Sequence, residues 1–499
     1  MKAGAVARLC LCTLAVGAMT ARAADYWNYD YGGYSVVAQG SKAYALSVGR
    51  DLTTLDQSVS KLLGMEDRAQ PTTRVYVMSL NDLRTIDPTW AIQGGAFYQT
   101  GPLEQVLILQ SENDGRIENR SVRLARGLAW LNSHGLVRAP DWFKHGLSQL
   151  LAESAVDNDE LQFGQDDAAK TAAMGKVRWI PMAKLLRFPV DDPELHKSPE
   201  DTAFYDAECW WLVREILFDD AVRKLMIGYL QRLMQGEPET AAFVETFNSS
   251  YEALDDYLKK LRHKPLEAQL RVPIPDLSSS VEPEPLSAAQ LKVHMARLKA
   301  ISEPNSPLVE QWTSEALAIA PGDERGLLTL ADYYLRNRNF EKGRPLVQLL
   351  AANETLSAVG RRELAAAMIA LARLKSDGVP GLESDDATAL RASARTQLRR
   401  AMTMNAADPV AAYQLGWLLV SQGDVAAVRE ALPAIEAMFY TYPKSAALAT
   451  LLVRMHDVGG NPDDEFKFAV VESHLVDNEL EREAAERRIE KLRKQVKTN

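Results

Sequence analysis

Residues 408–443, Asp408-Pro409-Val410-Ala411-Ala412-Tyr413-Gln414-Leu415-Gly416-Trp417-Leu418-Leu419 and on to Tyr442-Pro443, decide the fold of the chain's second half. Asp408-Pro409 and Tyr442-Pro443 each open a pair of helices, because proline tolerates the first helical turn, where its missing N–H has no partner to lose. The two prolines lie 34 residues apart. Pairs of helices repeated at such an interval imply a stacked array in which each pair buries its apolar face on the next.

The interval is that of tetratricopeptide repeats, and the residues inside the pairs resemble them. Leu330-Ala331 with Tyr334 and Gly343, and Leu415-Gly416 with Leu419, alternate small and large side chains as two closely approaching helices require. Ala316-Leu317-Ala318-Ile319-Ala320-Pro321 resembles a repeat end. The loop around Val379-Pro380-Gly381 interrupts the period, and about four pairs are expected. Such arrays leave a concave face on which partners dock, so Tyr334, Leu415 and Gly416 mark a candidate partner groove. Alternatively, the array only braces the first half. Leu480 to Lys497 keeps Ala485, Ile489, Leu492 and Val496 on one face, as a capping helix would.

Outward from the array, breaks fall at Pro321-Gly322-Asp323, at 377–386 and at Gly459-Gly460-Asn461-Pro462. Residues 265–287 hold Pro265, Pro273, Pro275, Pro283 and Pro285 with Ser278-Ser279-Ser280, and read as a linker. The repeats therefore occupy 288–499 and a first domain 24–264. In that domain Tyr34 to Ala38, Arg74 to Met78, Gly95 to Gln99 and Gln105 to Gln110 read as strands of a small sheet. Ser41 caps a helix carrying Val48, Leu52, Leu55, Val59 and Leu62 on one face. Beyond residue 117 the pattern is helical, with Leu124, Leu128 and Leu131 in one helix and Trp142, Leu147, Leu150 and Leu151 in the next. No further strand is expected. The fold class is α+β followed by an all-α solenoid.

This order, with Trp142-Phe143-Lys144-His145-Gly146-Leu147 opening the second helix, resembles the peptidase-MA-like, gluzincin-type metallopeptidases over roughly residues 34–262. The resemblance implies a zinc site built from His-Glu-x-x-His and a Glu on the following helix. Here those positions are Val122 for the first His, Arg123 for the general-base Glu, Arg126 for the second His and His145 for the ligand Glu. Eighteen residues separate Arg126 from His145, a spacing that the family uses. Zinc needs neutral or anionic donors, and only His145 supplies one. A guanidinium about 4 Å from the ion repels it, by roughly 4 kcal/mol per unit charge pair. No cofactor or metal is expected, and the family's hydrolytic chemistry has no mechanism here. Arg123, Arg126 and His145 instead suggest an anion pocket, or arginines braced by Glu118, Asp141 or Glu153.

The opening residues resemble a secretory signal: Lys2 and Arg8, an apolar run from Leu9 to Ala18, and Ala21-Arg22-Ala23 before a cut near Ala24. Residues 1–23 would leave with export to the periplasm or beyond. Loss of Lys2, Arg8 and Arg22 takes the formal charge from −10 to −13, which argues against nucleic acid as partner. No later stretch reads as a transmembrane segment. Cys209, the one cysteine left after cleavage, is expected in the core between helices. The reading is an exported, non-catalytic pseudopeptidase that binds a protein or peptide as an envelope scaffold. The alternatives are a hydrolase with a relocated site in the same cleft, and a secretion or assembly adaptor that works through the repeats.

Overall fold

The structure is a computed structural model. It describes residues 26–496 except 65–72, 94, 102, 112–138, 153, 158–159, 164–179, 187–191, 194, 196, 236, 262–269, 274–280, 444 and 477–478.

Tyr26–Tyr31 (β1) and Tyr34–Gln39 (β2) form an antiparallel hairpin. Its turn residues Gly32 and Gly33 have φ of +56° and +86°, angles that glycine adopts without strain. Ser41 accepts a hydrogen bond from Tyr44 N–H and starts Lys42–Leu62 (α1). That helix carries the chain across the sheet, so that Thr73–Met78 (β3) runs parallel to β2. Leu80–Ile86 (α2) and Pro88–Gln93 (α3) lead into Gly95–Gly101 (β4) and Glu104–Gln110 (β5). β4 and β5 pair antiparallel, and β5 lies parallel to β3. All four expected strands are present. The aromatic start, not assigned as a strand, supplies β1, whose Tyr29 and Tyr31 are buried on one face of the sheet and Tyr26 on the other.

The period of two sorts the side chains into two layers. Val36, Ala38, Val75, Val77, Leu107 and Leu109 pack with Val48 and Leu52 of α1. Val37, Tyr76, Met78, Val106 and Ile108 pack on the other face with Leu83, Ile86 and Trp90 of α2 and α3.

Asp141–Ala152 (α4) begins a second layer of helices. Ala155–Asp157 (β6) and Glu160–Phe163 (β7) follow, then Met182–Leu185 (α5), Pro199–Phe218 (α6), Asp220–Met234 (α7), Glu239–Phe247 (α8) and Tyr251–Leu261 (α9). Leu270–Pro273 (β8) pairs with β7, which pairs with β6, so a second sheet exists where none was expected. Each of its strands has four residues or fewer, too short for alternation to register in sequence. Glu284–Pro285 (β9) adds antiparallel to β1 and completes the order β4-β5-β3-β2-β1-β9. The expected linker 265–287 therefore contributes a strand to each sheet and is more than a spacer.

Five helix pairs follow: Ala288–Ser302 (α10) with Pro307–Ile319 (α11), Glu324–Arg336 (α12) with Phe340–Ala351 (α13), Ala358–Ser376 (α14) with Ala387–Met404 (α15), Pro409–Gln422 (α16) with Val425–Thr441 (α17), and Ala446–Gly459 (α18) with Pro462–Leu475 (α19). Glu479–Val496 (α20) packs on α19 through Ala485 and Leu492, which are buried as a capping helix requires. The first helix of each pair touches the first helix of the next, as in a tetratricopeptide-like solenoid. The count exceeds the expected four because α10 and α11 form a pair of their own directly after β9.

That first pair also finishes the sheet. Leu286, Leu291 and Leu298 complete the β-sheet face that α2 and α3 only partly cover. Lys299 Nζ donates to the Ile86 carbonyl at 3.0 Å, and Ser302 Oγ donates to Asp87 Oδ2 at 2.5 Å. No helix among the described residues is long and apolar enough to cross a membrane.

Candidate functional site

Val122, Arg123 and Arg126 lie outside the described residues, as do Glu118 and Glu153. His145 lies one turn into α4, and the next residue fixes how α4 meets α6. A Cβ on Gly146 would come within 2.3 Å of the Cys209 carbonyl oxygen, so glycine is what lets the two helices touch. That contact brings His145 Nε2 to 2.7 Å from Asp206 Oδ1 and its ring 5.2 Å from that of Tyr205. Gln149 Nε2, one turn on, stands 3.5 Å from the same nitrogen. Asp141, offered as a brace for the arginines, pairs with Lys144 at 2.8 Å. Cys209 is wholly buried, and desolvation pushes its thiol well above the ordinary range, so it sits as the inert core residue its surroundings predict.

Of the four positions that the resemblance to gluzincins assigns to zinc, His145 alone lies among the described residues, and its Nε2 is hydrogen-bonded to Asp206 Oδ1. Among the described residues no group of three or more His, Cys, Asp or Glu is placed to hold a metal. His145 and Asp206 form a hydrogen-bonded pair that ties α4 to α6.

Tyr334, Leu415 and Gly416, expected to line a groove, are buried instead. A Cβ on Gly416 would stand 2.6 Å from Leu451 Cδ2, so this position seats α16 against α18. Tyr334 donates its hydroxyl to Glu310 Oε1 at 2.7 Å, and Lys342 lies 5.0 Å from its ring centre. These residues build the array and present no open face. The side that carries the first helices is also turned toward the chain's own sheet: Leu103, just before β5, packs in one apolar cluster with Leu364 and Val410.

Between sheet and array lies a cavity of about 830 Å³. Its walls are the β1–β2 hairpin, α1, β3 and the start of β5 on one side, and α10, α12, α14, the N-terminus of α16 and Tyr442 on the other. An ion lattice crosses its floor. Arg297 makes two bonds to Glu363, at 2.6 and 3.1 Å, and Arg74 lies 3.6 Å from both Glu363 and Glu104. Arg362 joins Glu104 to Asp408, which it meets at 3.0 Å while Asp408 caps α16. Burial raises a carboxyl, yet Arg297, then Arg74 and Arg362, hold Glu363 down at about 2. Burial, with Arg325, Arg297 and Arg74 nearby, pushes His294 down to about 3, so it is a neutral partner at 3.2 Å from the Tyr76 hydroxyl. Sequence reading missed this site entirely, because its residues come from segments hundreds of positions apart.

Fold and sites thus define an α+β domain of small sheets and helices, joined to a tetratricopeptide-like solenoid. No protein-family model matches the chain, and no curated protein matches it. A solved structure described as the crystal structure of MamA protein is similar over 37% of this chain and 89% of its own, at 17% identity and a TM-score of 0.28.

Proposed function

We propose that this chain is an exported, non-catalytic scaffold that binds a protein partner through the outer side of its helical array. Its first half is then a peptidase-MA-like domain that has lost its zinc chemistry. One observation carries the binding side of this reading. At the C-terminal ends of the second helices of four successive pairs stand Ile319, Leu349, Met404 and Tyr440, with exposures of 60, 57, 56 and 59%. Single exposed apolar residues are ordinary, but one per repeat at matching helix ends is a pattern. Covering each fully is worth about 1.5–3 kcal/mol. The first helices face the sheet, which leaves the second helices to a partner.

A hydrolase reading draws on the His145–Asp206 pair, the kind of contact that orients a general base. Cys209, in the same helix as Asp206, is wholly buried with its thiol pushed well above the ordinary range, so it does not serve that pair as a nucleophile. The test is crosslinking of the full chain in the envelope fraction, wild type against Leu349→Glu with Met404→Glu, alongside metal analysis and a peptidase assay. A crosslinked species lost in the variant, with no stoichiometric zinc and no cleavage, is the expected result. Metal-dependent peptide cleavage by the wild type would overturn the reading.

A further inference from the structure

Behind Tyr440, the last residue of the outer row, stands a buried histidine. His456 of α18 is 2% exposed, and neither ring nitrogen completes a hydrogen bond among the described residues. Its ring stacks on that of Phe468 of α19, with centres 5.3 Å and planes 11° apart. Nε2 comes within 3.1 Å of Glu436 Oε1 on α17, a contact without the alignment of a hydrogen bond, and that carboxylate is 32% exposed, so water takes up part of its charge. Three helices thus meet at one imidazole. The junction also holds Tyr440: Lys467 Nζ of α19 stands 3.4 Å from the Tyr440 hydroxyl and 5.3 Å from the centre of the Phe468 ring, and Phe439 meets Phe468 edge-on at 5.6 Å.

The groups around the ring oppose one another. Burial has the largest influence and resists the imidazolium, as does Lys467, while Glu436 and Asp464 of α19 favour it. α16, which also packs on α18, brings no charged side chain, and Arg454 and Asp457 of α18 itself are exposed. The balance holds His456 below the ordinary 6.5, as a neutral ring in the closed junction. Parting of α18 and α19 frees the ring and restores its ordinary value, so a proton binds the open junction more tightly than the closed one. Acid therefore shifts the junction toward opening, by at most about tenfold per pH unit below the ordinary value. The junction belongs to the last helix pair, and a repeat near the end of an array has fewer neighbours to hold it shut.

We propose that His456 makes the junction of α17, α18 and α19 a pH-sensitive latch, closed around the neutral ring and loosened by its protonation, which takes Lys467 away from Tyr440 and weakens partner docking at that end of the outer row. The docking consequence rests on the function proposed above. The latch itself does not, since it is a property of the chain alone.

The experiment is hydrogen exchange of the full chain, read by mass spectrometry at pH 7.5 and 5.0 and corrected for the intrinsic pH dependence of amide exchange. In wild type, peptides covering 436–442 and 462–470 are expected to lose at least about fivefold in protection at the lower pH, while α15 keeps its own. His456→Gln cannot take the proton and is expected to hold the same protection at both. Glu436→Gln leaves the ring without its carboxylate and is expected to lose more than wild type; it carries the test if His456→Gln is already open at pH 7.5. Equal protection of wild type at the two pH values, a loss that α15 shares, or a loss that His456→Gln shares would each overturn the latch. Crosslinking of the full chain in the envelope fraction at the same two pH values tests the docking consequence. A crosslinked species that weakens at pH 5.0 in wild type and not in His456→Gln is expected, and one equally strong at both while exchange reports opening would overturn that consequence. No crosslinked species at pH 7.5 would overturn the outer-row function, with the latch decided by exchange alone.

Discussion

At the scale of single residues, two positions report on the structure through opposite physics. Gly146 is a matter of space: its missing Cβ leaves room for the Cys209 carbonyl at 2.3 Å and Val213 Cγ2 at 2.6 Å. Backbone cannot swing away as a side chain can, so Gly146→Ala is expected to cost at least the usual 1–3 kcal/mol of overpacking, or about that order. Urea denaturation checks this, with a lower midpoint at an unchanged slope as the expected result. His294 is a matter of charge. Its folded pKa of about 3 lies below the ordinary 6.5, so below pH 6.5 the unfolded chain takes up a proton that the folded chain refuses. Stability held above pH 6.5 is therefore lost as the pH falls toward about 3. Glu363, also depressed, to about 2 from 4.5, begins to lose its contribution only below 4.5. Between pH 6.5 and 4.5 His294 acts without Glu363, and wild type is expected to lose up to about 1.4 kcal/mol per pH unit more than His294→Gln. Parallel pH profiles of the two proteins would refute the assignment.

Between elements, the array depends on small residues where first helices meet. Gly416 of α16 and Leu451 of α18 are such a seat. Gly416→Ala pushes on a side chain and is expected to cost about 1–3 kcal/mol, while Leu451→Ala opens a cavity worth about 2–5. The double variant is expected to be more stable than the sum of the two losses by about 0.5–3 kcal/mol, because the new methyl occupies part of the space vacated. A four-way urea denaturation cycle measures the coupling, and strict additivity would contradict the contact. Elements of this kind were largely legible in the sequence. The strands β2, β3, β4 and β5 and the helices α1 and α4 follow from local alternation and capping, which is short-range physics. β1 hid because Asn28 and Asp30 interrupt an otherwise aromatic run, and β6, β7 and β8 because they are too short to show a period. The groove assignment failed for a different reason. Leu415 and Gly416 carry the small-beside-large signature of helix packing, and packing residues are buried by what they do. The cavity was illegible because no local pattern links Gly32, Thr53, His294, Arg325 and Asp408 before the chain has folded.

For the whole molecule, the question is whether sheet and array are two bodies or one. Two kinds of contact join them. The apolar one is α10, whose Leu291 and Leu298 fill a sheet face that would otherwise lie open between Tyr76 and Ile108. The polar one is the lattice in which Arg74 and Glu104 of the sheet meet Arg362 and Glu363 of α14. Arg297 and Glu363 are each 22% exposed, so they retain some hydration and the pair belongs at the low end for buried ion pairs. Glu363→Ala leaves Arg297 and Arg74 facing each other without the carboxylate between them and is expected to cost about 3 kcal/mol. Replacing the pair together, Arg297→Met with Glu363→Leu, removes the stranded charge along with the attraction, and is expected to recover more than half of that loss. Calorimetric melting reads both effects at once. Wild type and the double variant are expected to unfold in one transition, because the sheet face cannot lose α10 without exposing its core. In Glu363→Ala the Arg74 link from β3 to α14 is lost and Arg362–Glu104 is left to couple α14 to β5, so the transition is expected to broaden as the array's later pairs loosen from the sheet. A double variant that falls by the sum of its single losses would show that the lattice stabilises through the attraction itself, and a Glu363→Ala protein with an unchanged single transition would show that the apolar contacts of α10 and Leu103, with the Arg362–Glu104 pair, are enough to unite sheet and array.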